Sequence, residues 1–389
     1  MTEGPLSRVT ILDLTDERGI YGAKLLADLG ANVIRPEPLT GDPLRMRGPF
    51  IQSADQGKES IWHAYFCSSR RSIALDLDDA EGLEQFDLLL TEADIVLTCP
   101  GAFGVEESKE IVRDKNREEL VFIDTCSFRP GCEWADYQAP DIVAGALAGQ
   151  IATTGDADTA PLKNFGELNF MVSGAYTAIS ALSALYNRRA TGSGQRVEVS
   201  VHECIASCLE HVFMFYWYGE AMEHPDGRVL PRRGSLHWSN AYDVMNAETG
   251  SIMVTPTPDF DKQLTWMIEE DIHDDLIDPQ YLEPENLRLR VEKTMNQLRD
   301  WVATKNAEDL FFEAQERHMP YGLVLPIEQV AENPQLIARH WFVPYQIGEH
   351  KTLSTGAPYH FSDTPWQLGE YKSINEDQVD ILNEIGWNS

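Results

Sequence analysis

Two pairs of adjacent arginines give this sequence side chains that could hold an anionic group. Arg70 and Arg71 stand at the start of a predicted strand, and Arg232 and Arg233 precede His237 in a glycine-containing loop. A guanidinium carries a permanent charge, and its planar fork matches the oxygens of a phosphate or a carboxylate. The first pair is therefore either an anion contact or a solvated surface pair. The second pair, with His237, either clamps an anion or lies in an interdomain loop.

A second group of reactive side chains consists of His202, Cys204, Cys208 and His211. The last three share one face of a predicted helix, which is a spacing that zinc ligands can use. An apolar amphipathic helix explains the same spacing, and no second pair of ligands accompanies the group, so we expect no metal site. The six cysteines are scattered along the chain, which favours reduced, mostly buried thiols.

The charge balance is the compositional outlier of this sequence. Against 31 Lys and Arg stand 63 Asp and Glu, which gives a formal net charge of −32. Such a field repels nucleic acids and anionic membranes, so neither is an expected partner. The acidic run Glu269–Asp278 is either a solvated face, as in a salt-adapted protein, or an acidic docking site. No signal peptide and no run of about 18 apolar residues stands out, so we expect a cytoplasmic protein.

The elements that must position these residues alternate in the first half of the chain. Short apolar runs predict strands, and the stretches between several of them have helical spacing. This alternation predicts an α/β fold with a parallel sheet of Rossmann-like type. The predicted strands are Val9–Leu14, Ala31–Arg35, Ser72–Asp76, Asp94–Thr98, Leu120–Asp124 and Val197–Ser200. Helices are predicted over Tyr21–Leu29, Ala80–Ala93, Asn169–Arg189 and Cys204–Tyr216.

The composition changes after Trp217 and predicts a second domain. Residues 218–250 are rich in loops, and residues 251–320 alternate a strand with amphipathic helices. We therefore predict a large domain of residues 1–217 and 325–389 and a smaller α+β domain of residues 218–324. The turn after the first strand, Asp13–Gly22, lacks a G-x-G-x-x-G motif and carries acidic side chains. A nicotinamide dehydrogenase is therefore not expected.

Several segments, in this order, resemble the class III CoA-transferases, which include carnitine and formyl-CoA transferases and 2-methylacyl-CoA racemase. The matching segments are Leu12–Leu14, Leu25–Glu37, Gly41–Arg45, Arg70–Asp76, Thr191–Ser200 and Gly356–Ser362. The resemblance covers nearly the whole chain. It implies a Rossmann-like large domain built from both chain ends, a small domain, and two subunits interlocked like chain links. It also implies acyl-CoA and a small carboxylate as substrates, with no cofactor beyond coenzyme A.

The sequence departs from this family at its reacting position. In the family a nucleophilic Asp, four residues before a Gly, attacks the thioester and forms a mixed anhydride. With Gly174 as that Gly, the position holds Phe170, with Asn169 beside it, and neither can form an anhydride. The nearest carboxylate is Glu167, which is either a displaced nucleophile or a helix-start residue that interacts with its own amides. Racemisation is disfavoured, because its His–Asp pair would fall on Pro140 and near Phe170.

The resemblance also implies positions for the CoA handle. Arg70 and Arg71 would face phosphates, while Glu37 and Cys99 follow strands at the carboxyl edge of the sheet, where such folds bind ligands. Arg129 could replace an arginine that relatives carry shortly after the position of Cys99.

Two hypotheses remain open. One is an active CoA-transferase that uses Glu167. The other is a catalytically silent subunit that binds CoA and completes an interlocked dimer with an Asp-bearing homologue, as in benzylsuccinate CoA-transferases.

Overall fold

The computed structural model describes residues 4–53, 57–115, 117–221, 232–236, 240–256 and 259–387. These residues form two compact units. Unit 1 consists of Met1–Gln150, Lys163–Glu210 and Pro334–Ser389, and unit 2 consists of Ile151–Leu162 and His211–Asn333. The domain boundaries at 217/218 and 324/325 stay a prediction.

Strands and helices alternate along the chain, and the elements are numbered here in chain order. The strands are β1 Thr10–Leu14, β2 Asn32–Pro38, β3 Phe50–Ser53, β4 Gly57–Ser60, β5 Arg70–Leu75, β6 Ile95–Thr98, β7 Val121–Cys126, β8 Arg196–Ser200, β9 Asp243–Asn246, β10 Ser251–Val254, β11 Gly322–Leu323, β12 Phe342–Ile347 and β13 His350–Thr355. The first seven helices are α1 Ile20–Asp28, α2 Ile61–Phe66, α3 Ala80–Glu92, α4 Val105–Lys115, α5 Asp141–Leu147, α6 Leu168–Thr191 and α7 Val201–Ser207. The others are α8 Glu210–Tyr218, α9 Phe260–Glu269, α10 Leu287–Val302, α11 Ala307–Glu316, α12 Ile327–Ala331, α13 Pro334–Ala338 and α14 Gln378–Glu384.

Unit 1 is built on a six-stranded sheet in the order β5-β2-β1-β6-β7-β8, and every neighbouring pair is parallel. Residues of β1, β6 and β7 are almost entirely buried, as expected for parallel strands covered on both faces. The predicted α/β sheet and its six predicted strands are confirmed, with ends shifted by no more than three residues. The interlocked dimer stays a prediction.

Two apolar layers enclose this sheet. One layer joins strand residues such as Ile11 and Ile123 to α1 and α6 through Leu26, Ala181 and Leu185. The other joins Leu12 and the neighbouring strands to α3 and α14, with Phe86, Leu89 and Ile381 fully buried or nearly so. Alternate residues of each strand thus supply the two layers.

The long helix α6 lies directly against α1. A side chain at Gly22 would meet the carbonyl oxygen of Gly174, and one at Gly174 would meet the amide nitrogen of Gly22, so the two backbones touch. Small residues on both helices permit this close approach. By length and composition α6 alone among the described helices could cross a membrane, but half of its apolar stretch is buried inside the protein. Its burial against the sheet accounts for this composition.

Unit 2 contains the three-stranded antiparallel sheet β11-β10-β9 and a core formed with α9, α10 and α11. Trp266, Leu298 and Val302 lie at the centre of that core. The predicted helix Cys204–Tyr216 is wrong as a single element. The chain forms α7 and α8 instead, because α7 ends at Cys208, whose backbone amide donates hydrogen bonds to the carbonyl oxygens of Ile205 and Ala206.

Candidate functional site

The strand order reverses between β1 and β6, because the chain builds β2 and β5 on one side and β7 and β8 on the other. In open α/β sheets, ligands bind outside the carboxyl ends of the strands at such a reversal. Two cavities lie there, on either side of the loop that follows β1, and Asp16 and Glu17 line both. Their volumes are about 230 and 380 Å³. This edge of the sheet is the candidate ligand site.

A buried network of ion pairs lines the smaller cavity. The carboxylate of Asp13, which lies on β1, accepts hydrogen bonds from Arg35 at 2.8 Å and Arg70 at 2.5 Å. Arg35 also donates to Asp42 at 2.8 Å. Burial by itself would raise the pKa of Asp13, but the charges of Arg70 and Arg35 outweigh it and hold that pKa below its ordinary value. The network therefore stays ionised inside the fold.

The adjacent arginines Arg70 and Arg71 point in opposite directions because successive strand residues alternate. Arg70 is only 3% exposed and donates to Asp13 and to the carbonyl oxygen of Ile20. Arg71 forms a two-bond ion pair with Glu384 on α14. The interpretation as a solvated surface pair is wrong for Arg70. Neither guanidinium lines the two cavities, and a CoA contact by either stays a prediction.

Glu37, at the carboxyl end of β2, shapes the chain around the smaller cavity. Its carboxylate accepts two hydrogen bonds from Arg45 at 2.6 Å each, one from Ser72 at 2.6 Å and one from the amide of Asp42 at 2.8 Å. Burial opposes its ionisation, but Arg45 and these donors lower the pKa of Glu37. Glu37 thus fixes the Asp42 turn, and a direct CoA contact stays a prediction.

Cys99 and Arg129 both follow strands of the sheet but differ in environment. Cys99 is fully buried, and burial together with the nearby Asp16 raises the pKa of its thiol well above the ordinary value. The side chain of Arg129 is 64% exposed, and its guanidinium lies 3.7 Å from the carboxylate of Glu198. Their roles toward CoA stay predictions.

At the start of α6, Glu167 forms an ion pair with Arg47, whose guanidinium lies 4.3 Å from the centre of the Trp62 ring. Glu167 makes no side-chain hydrogen bond to the amides of its own helix. The interpretation of Glu167 as a residue that interacts with the amides of its own helix is therefore wrong, because its carboxylate pairs with Arg47, which precedes β3. One quarter of the Glu167 side chain remains exposed.

Asp141, at the start of α5, accepts the hydrogen bonds at the start of α6 that Glu167 does not accept. One of its carboxylate oxygens accepts a hydrogen bond from the amide of Phe170 at 3.1 Å, and the other accepts one from the Asn169 side chain at 3.1 Å. Asn169 also donates to the carbonyl oxygen of Asp141 at 3.1 Å. Local sequence pattern predicts no role for Asp141 itself. The available signal was a carboxylate directly after Pro140, since proline and acidic residues both favour the first turn of a helix.

Phe170 brings an aromatic ring to the position where the resemblance implies a nucleophile. It is 4% exposed, packs in an apolar cluster with Phe128, Val201 and Ile205, and lines the larger cavity. Over its 24 residues α6 contains neither Asp nor Glu. No residue of this helix can therefore supply a carboxylate to the cavity.

Arg232 and Arg233 lie in unit 2. Arg232 donates to the carbonyl oxygens of Asp156, Ala157 and Thr159, and so connects the residue 232–236 segment to residues 151–162. Arg233 donates to the side chain of Asn240. His237 lies outside the described residues. A substrate contact by these three residues stays a prediction.

We expect the Asp141→Ala variant to loosen the start of α6. Losing a carboxylate that satisfies a helix-start amide costs about 1–2 kcal/mol of unfolding free energy. Urea unfolding followed by circular dichroism measures this change. Asp363→Ala, which removes an exposed carboxylate, is the matched control and should change stability by less than about 0.5 kcal/mol. Equal effects of the two variants would contradict a capping role for Asp141.

Comparisons with known proteins bear on the whole chain. A family model described as CoA-transferase family III matches residues 6–372. A subunit (BbsE) of succinyl-CoA:(R)-benzylsuccinate CoA-transferase from Thauera aromatica is 28% identical, over 98% of this chain and 94% of that protein. A succinyl-CoA:mesaconate CoA-transferase from Haloarcula hispanica is 27% identical, over 98% and 97%. A formyl-CoA:oxalate CoA-transferase from Streptomyces avermitilis is 25% identical, over 98% and 95%.

Solved structures agree in fold. A CAIB/BAIF family protein from Brucella suis superposes with a TM-score of 0.82 at 22% identity, over 99% of this chain and 100% of that chain. The protein Rv3272 from M. tuberculosis superposes with a TM-score of 0.78 at 18% identity, over 97% and 99%. The two likenesses extend over both units of the chain.

Proposed function

This chain belongs to CoA-transferase family III, whose enzymes are transferases that act on CoA thioesters. We propose that it is the silent subunit of a two-chain enzyme of this family. In this proposal the chain binds the CoA handle, and a homologous partner supplies the nucleophilic aspartate. The substrates of the two-chain enzyme are an acyl-CoA and a small carboxylate, and it uses no cofactor beyond CoA.

The observation that carries this proposal is the buried ring of Phe170 on a helix without a carboxylate. The position is enclosed: Asp141 accepts a hydrogen bond from its amide, and its ring packs among Phe128, Val201 and Ile205. A 28% identical relative is itself described as a subunit, which supports a division of labour between two chains.

The family reaction explains what such a division requires. A carboxylate attacks the thioester carbonyl, the carbon–sulfur bond breaks, and a mixed anhydride and the CoA thiolate result. Binding energy on the nucleotide handle keeps the thiolate beside the anhydride until the acceptor carboxylate completes the exchange. A subunit that only binds the nucleotide handle would contribute by keeping the CoA thiolate at the site. We propose that the uncharged pantetheine part of the CoA handle lies in the two cavities at the β1–β6 reversal, because Asp16 and Glu17, which line both, would repel its phosphates.

The net charge of the chain bears on its partners and its location. The net charge of −32 disfavours nucleic acids and anionic membranes as partners, and we propose a cytoplasmic location. An interlocked dimer and the two-domain division at residues 217/218 and 324/325 belong to the same proposal.

A second candidate is an active chain in which Glu167 is the nucleophile. It is favoured by the position of Glu167 directly before α6 and by the exposed quarter of its side chain. The ion pair with Arg47 disfavours it, because the carboxylate would have to leave a cation that packs on Trp62.

The experiment that separates the two candidates traps the anhydride. The purified chain is incubated with acyl-CoA and hydroxylamine, which converts a glutamyl anhydride to a hydroxamate, and peptides are analysed by mass spectrometry. We expect no mass change on Glu167. In the two-chain enzyme, Glu167→Gln and the control Glu203→Gln, an exposed glutamate at the start of α7, should each keep turnover within about twofold. A hydroxamate on Glu167 would contradict the silent-subunit proposal.

A further inference from the structure

A cavity of about 360 Å³ lies away from the carboxyl edge of the sheet, beside α4 and the first residues of β7 and β8. Leu120 and Phe122, together with Val112 of α4, give it an apolar floor. Residues at the beginning of parallel strands occupy the edge opposite to the β1–β6 reversal. The cavity is therefore separate from the candidate CoA site.

Four cationic side chains line this cavity: Lys109, Arg113, Arg117 and Arg196. Glu118 is the one carboxylate among the lining residues. The two cavities at the carboxyl edge are lined by one cation each, Arg35 and Arg18, together with several carboxylates. In a chain with 31 cationic and 63 acidic residues, four cations around one cavity create a local environment that is suited to an anion.

Two of these cations pair with exposed carboxylates. Lys109 pairs with Glu106, whose side chain is 73% exposed, and Arg117 pairs with Glu119, whose side chain is 55% exposed. The guanidinium of Arg117 also donates to the carbonyl oxygens of Leu90 and Thr91. A ligand would therefore replace only the two exposed carboxylates, whose ion pairs contribute little to stability. A ligand that does so must carry denser charge than a single carboxylate, as a phosphate dianion does.

Arg196 differs, because its partner Asp124 is buried and accepts at 2.9 Å. This guanidinium also lies 5.5 Å from the centre of the Phe122 ring and is half exposed. Arg196 therefore stands between the charged rim and the apolar floor of the cavity.

We propose that this cavity binds a small organic phosphate, whose phosphate group contacts the four cations and whose apolar body lies on Phe122 and its neighbours. Arginine forks bind phosphate oxygens in pairs, and three of the four cations are arginines. The volume is within the range of small-molecule sites.

Calorimetric titration of the full chain with phenyl phosphate at low ionic strength tests this proposal. We expect one binding site, with the same affinity when CoA is present at saturation. The double variant Lys109→Gln/Arg113→Gln should weaken binding by at least about 10-fold, since it removes two charged contacts from the phosphate. Arg339→Gln/Lys351→Gln removes two exposed cations elsewhere, changes the net charge equally, and should leave the affinity within about twofold.

Four results would overturn the proposal. Equal weakening by both double variants would mean that only the net charge matters. Competition by CoA would place phenyl phosphate in the candidate CoA site, which leaves the proposed function untouched. Inorganic phosphate that binds as tightly as phenyl phosphate would show that the apolar floor is unused. Absence of binding at millimolar phenyl phosphate would exclude the site.

Discussion

Turnover of acyl-CoA by this chain alone is expected to be at least about 1,000-fold slower than turnover by the chain together with an Asp-bearing homologue. The reason is chemical: the thioester requires a carboxylate nucleophile, and α6 offers the ring of Phe170 where that carboxylate would stand. The measurement compares initial rates of CoA transfer for each chain alone and for the co-expressed pair.

The control for this prediction lies in the partner. Replacing the partner's aspartate by Ala should abolish turnover of the pair, whereas Phe170→Leu in this chain, which keeps an apolar side chain, should retain most of it. A homodimer of this chain that turns over at the rate of the pair would contradict the prediction. Copurification of the pair without any gain in rate would contradict it as well, because a shared site must raise the rate.

The second large effect concerns the buried ion network. We expect Asp13→Asn to lower the unfolding free energy by about 3–5 kcal/mol, because Arg35 and Arg70 would remain buried with one carboxylate fewer. The matched control is Glu384→Gln, which removes the partner of the neighbouring Arg71 at the surface. This exposed pair should contribute less than about 1 kcal/mol. Chemical unfolding of the two variants beside the wild type measures the difference.

The same network predicts how stability depends on pH. The pKa values of Asp13, Glu37 and Asp42 are held below their ordinary values in the folded chain, since their cationic partners outweigh the effect of burial. A carboxyl group with a lowered folded pKa stabilises the fold above its unfolded pKa of about 4 and loses that contribution as the pH falls through the folded value. The stability difference between wild type and Asp13→Asn should therefore be constant near neutral pH and shrink below about pH 4. A difference that grows on acidification would contradict this assignment.

Much of the fold could be predicted from the sequence because its signals are local. A run such as Leu120–Ile123 is apolar at consecutive positions, which is typical of buried parallel strands, and Gly30 marks the end of the first helix before the run Ala31–Arg35. The order of six such runs and the family-like segments predicted the parallel sheet and the CoA-transferase family, and the family match confirms the latter. The absence of a carboxylate from α6 is likewise written in the sequence.

Only the tertiary structure decided which charges meet. Asp13 and Arg70 are 57 residues apart, and Asp141 reaches Phe170 across 29. Nothing in local periodicity reports such pairings, because they depend on which strands and helices become neighbours. For the same reason, the pair Arg70 and Arg71 looked uniform in sequence but was divided between the interior and the surface by strand alternation. The hydrophobic pattern thus determined the elements, while the long-range geometry of the sheet determined the partners of Asp13, Arg70 and Asp141.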